Sequence, residues 1–132
     1  MPHPFHVLIV DDQFSDLLLL EDILEESPLD VMVTTALSGE LALAQLTGTT
    51  APDLILLDYH LPGMTGLDVV GAVRQQSQLD GVPIVVRSGS TDPRAAAAAL
   101  AAGAQEYLPK PFGYGEQREQ LLNILTRWHP EE

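Results

Sequence analysis

The chain contains no cysteine, which excludes a disulfide framework and any thiolate metal site. Positive charge is scarce: 6 Lys and Arg stand against 19 Asp and Glu, for a formal net charge of −13. An excess of that sign repels phosphate backbones and anionic lipid, so no direct binding of nucleic acid is expected. No apolar run approaches the roughly 18 residues of a membrane span. Met1-Pro2-His3-Pro4 also lacks the basic start and long apolar core of a signal peptide. The expectation is a soluble, cytoplasmic protein without membrane contact. At 132 residues the chain matches one domain of the common size, about 100–150 residues.

What the sequence does have is a set of apolar runs that end in chemistry. Val7-Leu8-Ile9-Val10 leads into Asp11-Asp12, Leu54-Ile55-Leu56-Leu57 into Asp58, and Glu106-Tyr107-Leu108-Pro109 into Lys110-Pro111. Continuous apolar runs of this length suit strands covered on both faces, hence a parallel sheet flanked by helices. In such sheets the site lies beyond the carboxyl ends of the strands. Three acids and one lysine, widely separated in sequence, would meet there.

Strands are expected over Phe5–Val10, Val31–Thr35, Asp53–Leu57, Val82–Arg87 and Gln105–Leu108. Five helical segments alternate with them. The first, Phe14–Glu26, carries Leu17, Leu20, Ile23 and Leu24 at helical spacing. Ser38 caps the second, which stops near Gly48. Thr65 and Asp68 have the spacing of a capping box for the third. Asp92-Pro93 opens the fourth, which ends at Gly103. The fifth places Leu121, Leu122, Leu125 and Trp128 on one face. Five such units predict a doubly wound, five-stranded parallel α/β sheet of flavodoxin-like type, strand order 2-1-3-4-5.

The acids need a physical account. Two carboxylates about 4 Å apart repel by roughly 4 kcal/mol at an effective dielectric near 20. Three together must protonate or splay unless a cation joins them. Mg²⁺ is the natural hard cation, since it takes one or two carboxylates and keeps other positions for water and phosphate oxygens. Lys110 supplies a point charge suited to a phosphoryl group, and Asp58 is able to attack phosphorus and form an acyl phosphate. Ser88 ends the fourth strand and its hydroxyl is at the same edge. The plainer alternatives are Asp11-Asp12 as a helix cap, Ser88 as a loop residue and Tyr107 as an edge-strand aromatic.

Four motifs match a known family in order and spacing: Ile9-Val10-Asp11-Asp12, Asp58 through Gly66, Ser88, and Tyr107-Leu108-Pro109-Lys110-Pro111-Phe112. Over residues 5–128 the chain resembles the receiver domain of bacterial response regulators. The resemblance implies that Asp58 accepts a phosphoryl group from the histidine of a sensor kinase or a phosphotransfer protein. It implies Mg²⁺ on Asp12, Asp58 and the His60 carbonyl, with Asp11 acting through water and Lys110 on the phosphoryl oxygens. Ser88 and Tyr107 would be the switch pair, altering the face of the fourth helix, fifth strand and fifth helix for output through protein contacts. A cis Lys110–Pro111 bond is also implied. Phe14-Ser15-Asp16-Leu17 and the aromatic-ended last helix look like single-domain regulators of bacteriophytochrome kinases, which often form homodimers; chemotaxis-type and phosphorelay shuttles stay open. The tail, residues 129–132, is too short for an output domain.

Several residues depart from the family pattern. Arg87 stands where an apolar residue is usual: its stem packs while its head escapes toward the fourth helix, or it marks a partner contact. Gly89 replaces the commoner alanine, and His60 occupies a position that influences phosphoryl lifetime. Two rival functions use similar residues. A Mg²⁺-dependent aspartyl phosphatase of the haloacid-dehalogenase type needs a second aspartate where His60 stands. A phosphate-independent interaction module on the same fold would have no need of the intact acids and lysine.

Overall fold

The computed structural model describes residues 4–48 and 50–129; the expected tail beyond His129 falls outside them. Strands and helices alternate as β1 (Phe5–Val10), α1 (Phe14–Glu25), β2 (Val31–Ala36), α2 (Gly39–Thr47), β3 (Leu54–Asp58), α3 (Gly66–Arg74), β4 (Ile84–Ser88), α4 (Pro93–Ala102), β5 (Glu106–Pro109) and α5 (Tyr114–Trp128). A 3₁₀ turn, Ser77–Leu79, follows α3. The five strands are parallel in the order β2-β1-β3-β4-β5, as the apolar runs require. Strand β4 starts two residues later than expected because Pro83 has no amide to donate, although its carbonyl still accepts from Ile55.

Side-chain alternation sorts the core into two layers. Leu8, Val10, Ile55, Leu57, Ile84 and Val86 face the layer of α2, α3 and α4. Val7, Ile9, Leu54, Leu56 and Val85 face α1 and α5, where they meet Leu17, Leu20, Ile23, Leu24, Leu121 and Ile124. Both faces are therefore covered, and the central strands bury every residue.

Side-chain caps hold α2, α3 and α4 at the height that the sequence predicts. Ser38 Oγ accepts from the Leu41 amide, Asp92 from the Arg94 amide, and Thr65 and Asp68 complete a reciprocal capping box. On α5 the fully buried residues are Leu121, Ile124 and Leu125, with Leu122 and Trp128 packed at the margin. The indole donates to Glu106 at 2.6 Å and Arg127 pairs with the same carboxylate, tying the helix end to β5. The entry to α5 has no side-chain cap at Gly113.

Candidate functional site at the carboxyl edge of the sheet

Strands β1 and β3 are neighbours with Val10 beside Leu57, so Asp11 and Asp58 leave the sheet side by side. Asp12 completes the group: one carboxylate oxygen from each of Asp11, Asp12 and Asp58 lies within 4.8 Å of the others. Asp11 and Asp58 are 2% and 6% exposed. The acids that two of the three runs deliver thus come together, as their positions at strand ends foretell.

Lys110 closes the opposite side. Its amide donates to the Ser88 carbonyl, which anchors the backbone beside β4. Its Nζ lies 3.0 Å from Asp58 Oδ2, 3.3 Å from Asp11 Oδ2 and 4.0 Å from Asp16 Oδ2. Among the described residues no peptide bond is cis, so the expected cis Lys110–Pro111 bond is not found. The lysine reaches both acids from a trans bond, with the backbone set by that Ser88 contact.

The electrostatics show which force dominates at each group. Burial raises the pKa of Asp11 above its ordinary 3.8; the Gln13 amide and Lys110 oppose this, and the Asp58 and Asp16 charges reinforce it. An ion pair alone would lower an acid's pKa, so here burial outweighs pairing. Burial also opposes the charge of Lys110, yet its pKa is raised, because the Asp58 hydrogen bond and the Asp11 charge together outweigh desolvation. Lys110 thus contacts both acids, and for Asp11 burial outweighs the pairing. An oxygen-lined cluster with this surplus of negative charge suits a hard divalent ion.

The loop after Asp58 is built to stay close. The His60 amide donates to Asp58 Oδ1 at 3.0 Å, while the His60 ring is exposed and meets Tyr59 edge-on. Gly66 returns the chain against the strand end: a Cβ there would lie 2.6 Å from the Asp58 carbonyl oxygen and 2.7 Å from Tyr59 Cα. Gly63 turns with φ +70, a conformation open to glycine.

Ser88 is fully buried, and its Oγ accepts from the Ser90 amide. The Tyr107 hydroxyl donates to the Ser90 carbonyl at 3.4 Å, and its ring packs edge-on against Tyr59 with centroids 5.7 Å apart. Both therefore touch the loop between β4 and α4. Sequence reasoning missed Tyr59 as their aromatic neighbour, and Asp16 as a third acid near Lys110.

Of the two alternatives for Arg87, the structure bears against the first. Its head does not run toward α4; it donates to Gln120 Oε1 at 2.9 Å and to Gln117 Oε1, both on α5. Strand alternation explains the direction, because Arg87 shares the face of Val85.

Comparisons with known proteins identify the family. A family profile described as the response regulator receiver domain matches residues 7–125. The two-component response regulator ARR17 of Arabidopsis thaliana is 38% identical over 137 residues, covering 96% of this chain and 88% of that protein. Other curated relatives are longer, and the chain spans 52–60% of three of them. Among solved structures, the phosphorylated cyanobacterial phytochrome response regulator RcpA superposes with a TM-score of 0.88 at 26% identity, over 96% of this chain and 94% of that one. The Mn²⁺-bound response regulator Rcp1 gives 0.86 at 26% identity, over 98% of each chain.

Proposed function

The chain belongs to the response regulator receiver domains of two-component systems, and from that premise we propose that Asp58 is its phosphoacceptor. The observation that carries the reading is the cluster of Asp11, Asp12 and Asp58 with Lys110 Nζ 3.0 Å from Asp58. Asp58, Asp12 and the His60 carbonyl would hold Mg²⁺, with Asp11 acting through water. When bound, the ion neutralises the acids and offers a place for phosphoryl oxygens. The rest falls to the protein. An Asp58 carboxylate oxygen attacks the phosphorus of a phosphohistidine; the P–N bond breaks, and its electron pair leaves with the donor imidazole. Lys110 then exchanges its contact with the free carboxylate for one with the transferred group, stabilising charge that grows during transfer.

The modification adds roughly −1.5 to −2 charges beside Ser88 and Tyr107. Ser88 turns its hydroxyl from the Ser90 amide to the phosphoryl group, and the Tyr107 ring follows inward along Tyr59. That couples the site to the α4-β5-α5 face as a shift between two populations. Receiver domains are signalling modules, and this one is read as catalysing only its own phosphorylation and dephosphorylation. The phosphoryl donor is a sensor histidine kinase or phosphotransfer protein; the likeness to RcpA favours a phytochrome-type kinase, and a homodimer through the same face is the accompanying expectation. Among the described residues no helix is long and apolar enough to cross a membrane.

Labelling with acetyl phosphate in the presence of Mg²⁺ tests the reading. Intact-mass analysis should show a single phosphoryl adduct that chelator prevents and Asp58→Asn abolishes. Full labelling of that variant would refute the assignment.

A further inference from the structure

Strand β4 ends on two consecutive polar residues that leave the sheet in opposite directions. Ser88 keeps the parity of Ile84 and Val86 and faces the α4 side; Arg87 keeps the parity of Val85 and faces α1 and α5. Arg87 is 3% exposed, and an arginine is almost never so buried without a partner. Its hydrogen-bond partners are neutral, the side-chain oxygens of Gln117 and Gln120 on α5. Yet its nearest electrostatic company is acidic. The register sets Arg87 directly beside Asp58, on strands about 4.8 Å apart, and Asp11 continues the same face from β1. Two small voids of about 10 Å³ flank the side chain, one shared with Asp11, Asp58 and Lys110, the other with Asp16, Lys110 and Gln117. Burial lowers the guanidinium's pKa, and Asp11, Asp16 and Asp58 act against that effect. A permanent charge therefore sits in a poorly screened place between a negative pocket and a helix.

We propose that Arg87 is a positioning residue that offsets the acid pocket from beneath and transmits its charge to α5 through Gln117 and Gln120. The pocket then has a readout on each face of the sheet, with Ser88 serving α4 and Arg87 serving α5. The proposal rests on the reading of the acids as a cation-holding pocket. Filling that pocket with positive charge lessens its pull on the guanidinium and changes its hold on the two glutamines. Without Arg87 the pocket is more negative and holds a divalent ion more tightly. A residue that served packing alone would not produce this effect.

The test is Mg²⁺ titration of the full chain, followed by calorimetry and by the side-chain amide resonances of Gln117 and Gln120. In the parent protein Mg²⁺ should bind and shift both resonances. Arg87→Met, an apolar replacement of a kind buried sites tolerate, should bind Mg²⁺ at least about threefold more tightly and lose the glutamine shifts. Arg87→Lys keeps the charge but not the forked donor geometry; its affinity should stay within about twofold of the parent while the glutamine shifts shrink. Unchanged or weaker binding by Arg87→Met, or glutamine shifts that persist in it, would overturn the proposal. So would tightening in Arg87→Lys equal to that in Arg87→Met. Where Arg87→Met fails to fold by thermal melting, undiminished glutamine shifts in Arg87→Lys overturn it instead. Absence of Mg²⁺ binding by the parent protein would strike at the proposed function itself, a distinguishable outcome.

Discussion

Arg74 and Arg87 are drawn into the body of the protein at opposite edges of one sheet, and they meet different company. At the amino edge, Arg74 donates to the carbonyls of Gly103, Leu79 and Val82 and to Gln105 Oε1, at 2.7–3.0 Å. These acceptors end α4, close the turn after α3 and lead into β4, and each gains a donor. Burial lowers the Arg74 pKa, and Asp80 partly offsets that. At the carboxyl edge, Arg87 rests on amides while Asp11 and Asp58 share one lysine. The first edge completes its polar contacts by folding; the second keeps surplus negative charge. Local conflict of the second kind is expected where function sits, which accords with the site proposed for this edge.

Three substitutions would break or sharpen that contrast. The largest effect on chemistry is expected from Lys110→Ala, which removes the cation 3.0 Å from the proposed phosphoacceptor. Acetyl phosphate labelling should slow on the order of a hundredfold while the far-ultraviolet spectrum is unchanged; labelling at the parent rate would show that the lysine has no part in transfer. Arg74→Ala should do the reverse. Loss of several charge-assisted contacts to backbone should cost about 2–3 kcal/mol in denaturant unfolding, with labelling within about twofold of the parent. A labelling defect as large as the stability loss would mean that the two edges are not separable.

The smallest effect concerns Asp11. An acid whose pKa is raised on folding disfavours the folded state once ionised. That penalty is complete above the folded pKa and fades as pH falls through it toward the unfolded value of 3.8. Metal-free Asp11→Asn should therefore melt about 2–4 °C higher at neutral pH, with the gain shrinking as the medium is acidified. A gain that did not vary with pH would point to packing and not to charge.

Much of this contrast is legible in the sequence, for identifiable reasons. The buried runs before Asp11 and Asp58 fix the strand type, and with the half-exposed β5 before Lys110 they fix the edge at which the three meet. Caps such as Ser38, Thr65 with Asp68, and Asp92-Pro93 are local, so their spacing reads directly. Arg87 was visible as an oddity but not in direction: the parity that sends it to α5 becomes clear only when Val85 has been assigned to a layer. Gln117 and Gln120 look like ordinary solvent residues until a buried cation faces them. Arg74 leaves little mark in the sequence because most of its partners are backbone carbonyls. The Tyr59–Tyr107 contact joins the loop after β3 to β5, a long-range pairing that no local pattern encodes.

The most direct measurement is calorimetric titration of the phosphate-free protein with Mg²⁺. One ion per chain should bind, with affinity falling at least about tenfold in both Asp12→Asn and Asp58→Asn. No binding heat, or binding that both variants leave intact, would mean that the three carboxylates do not act as one pocket.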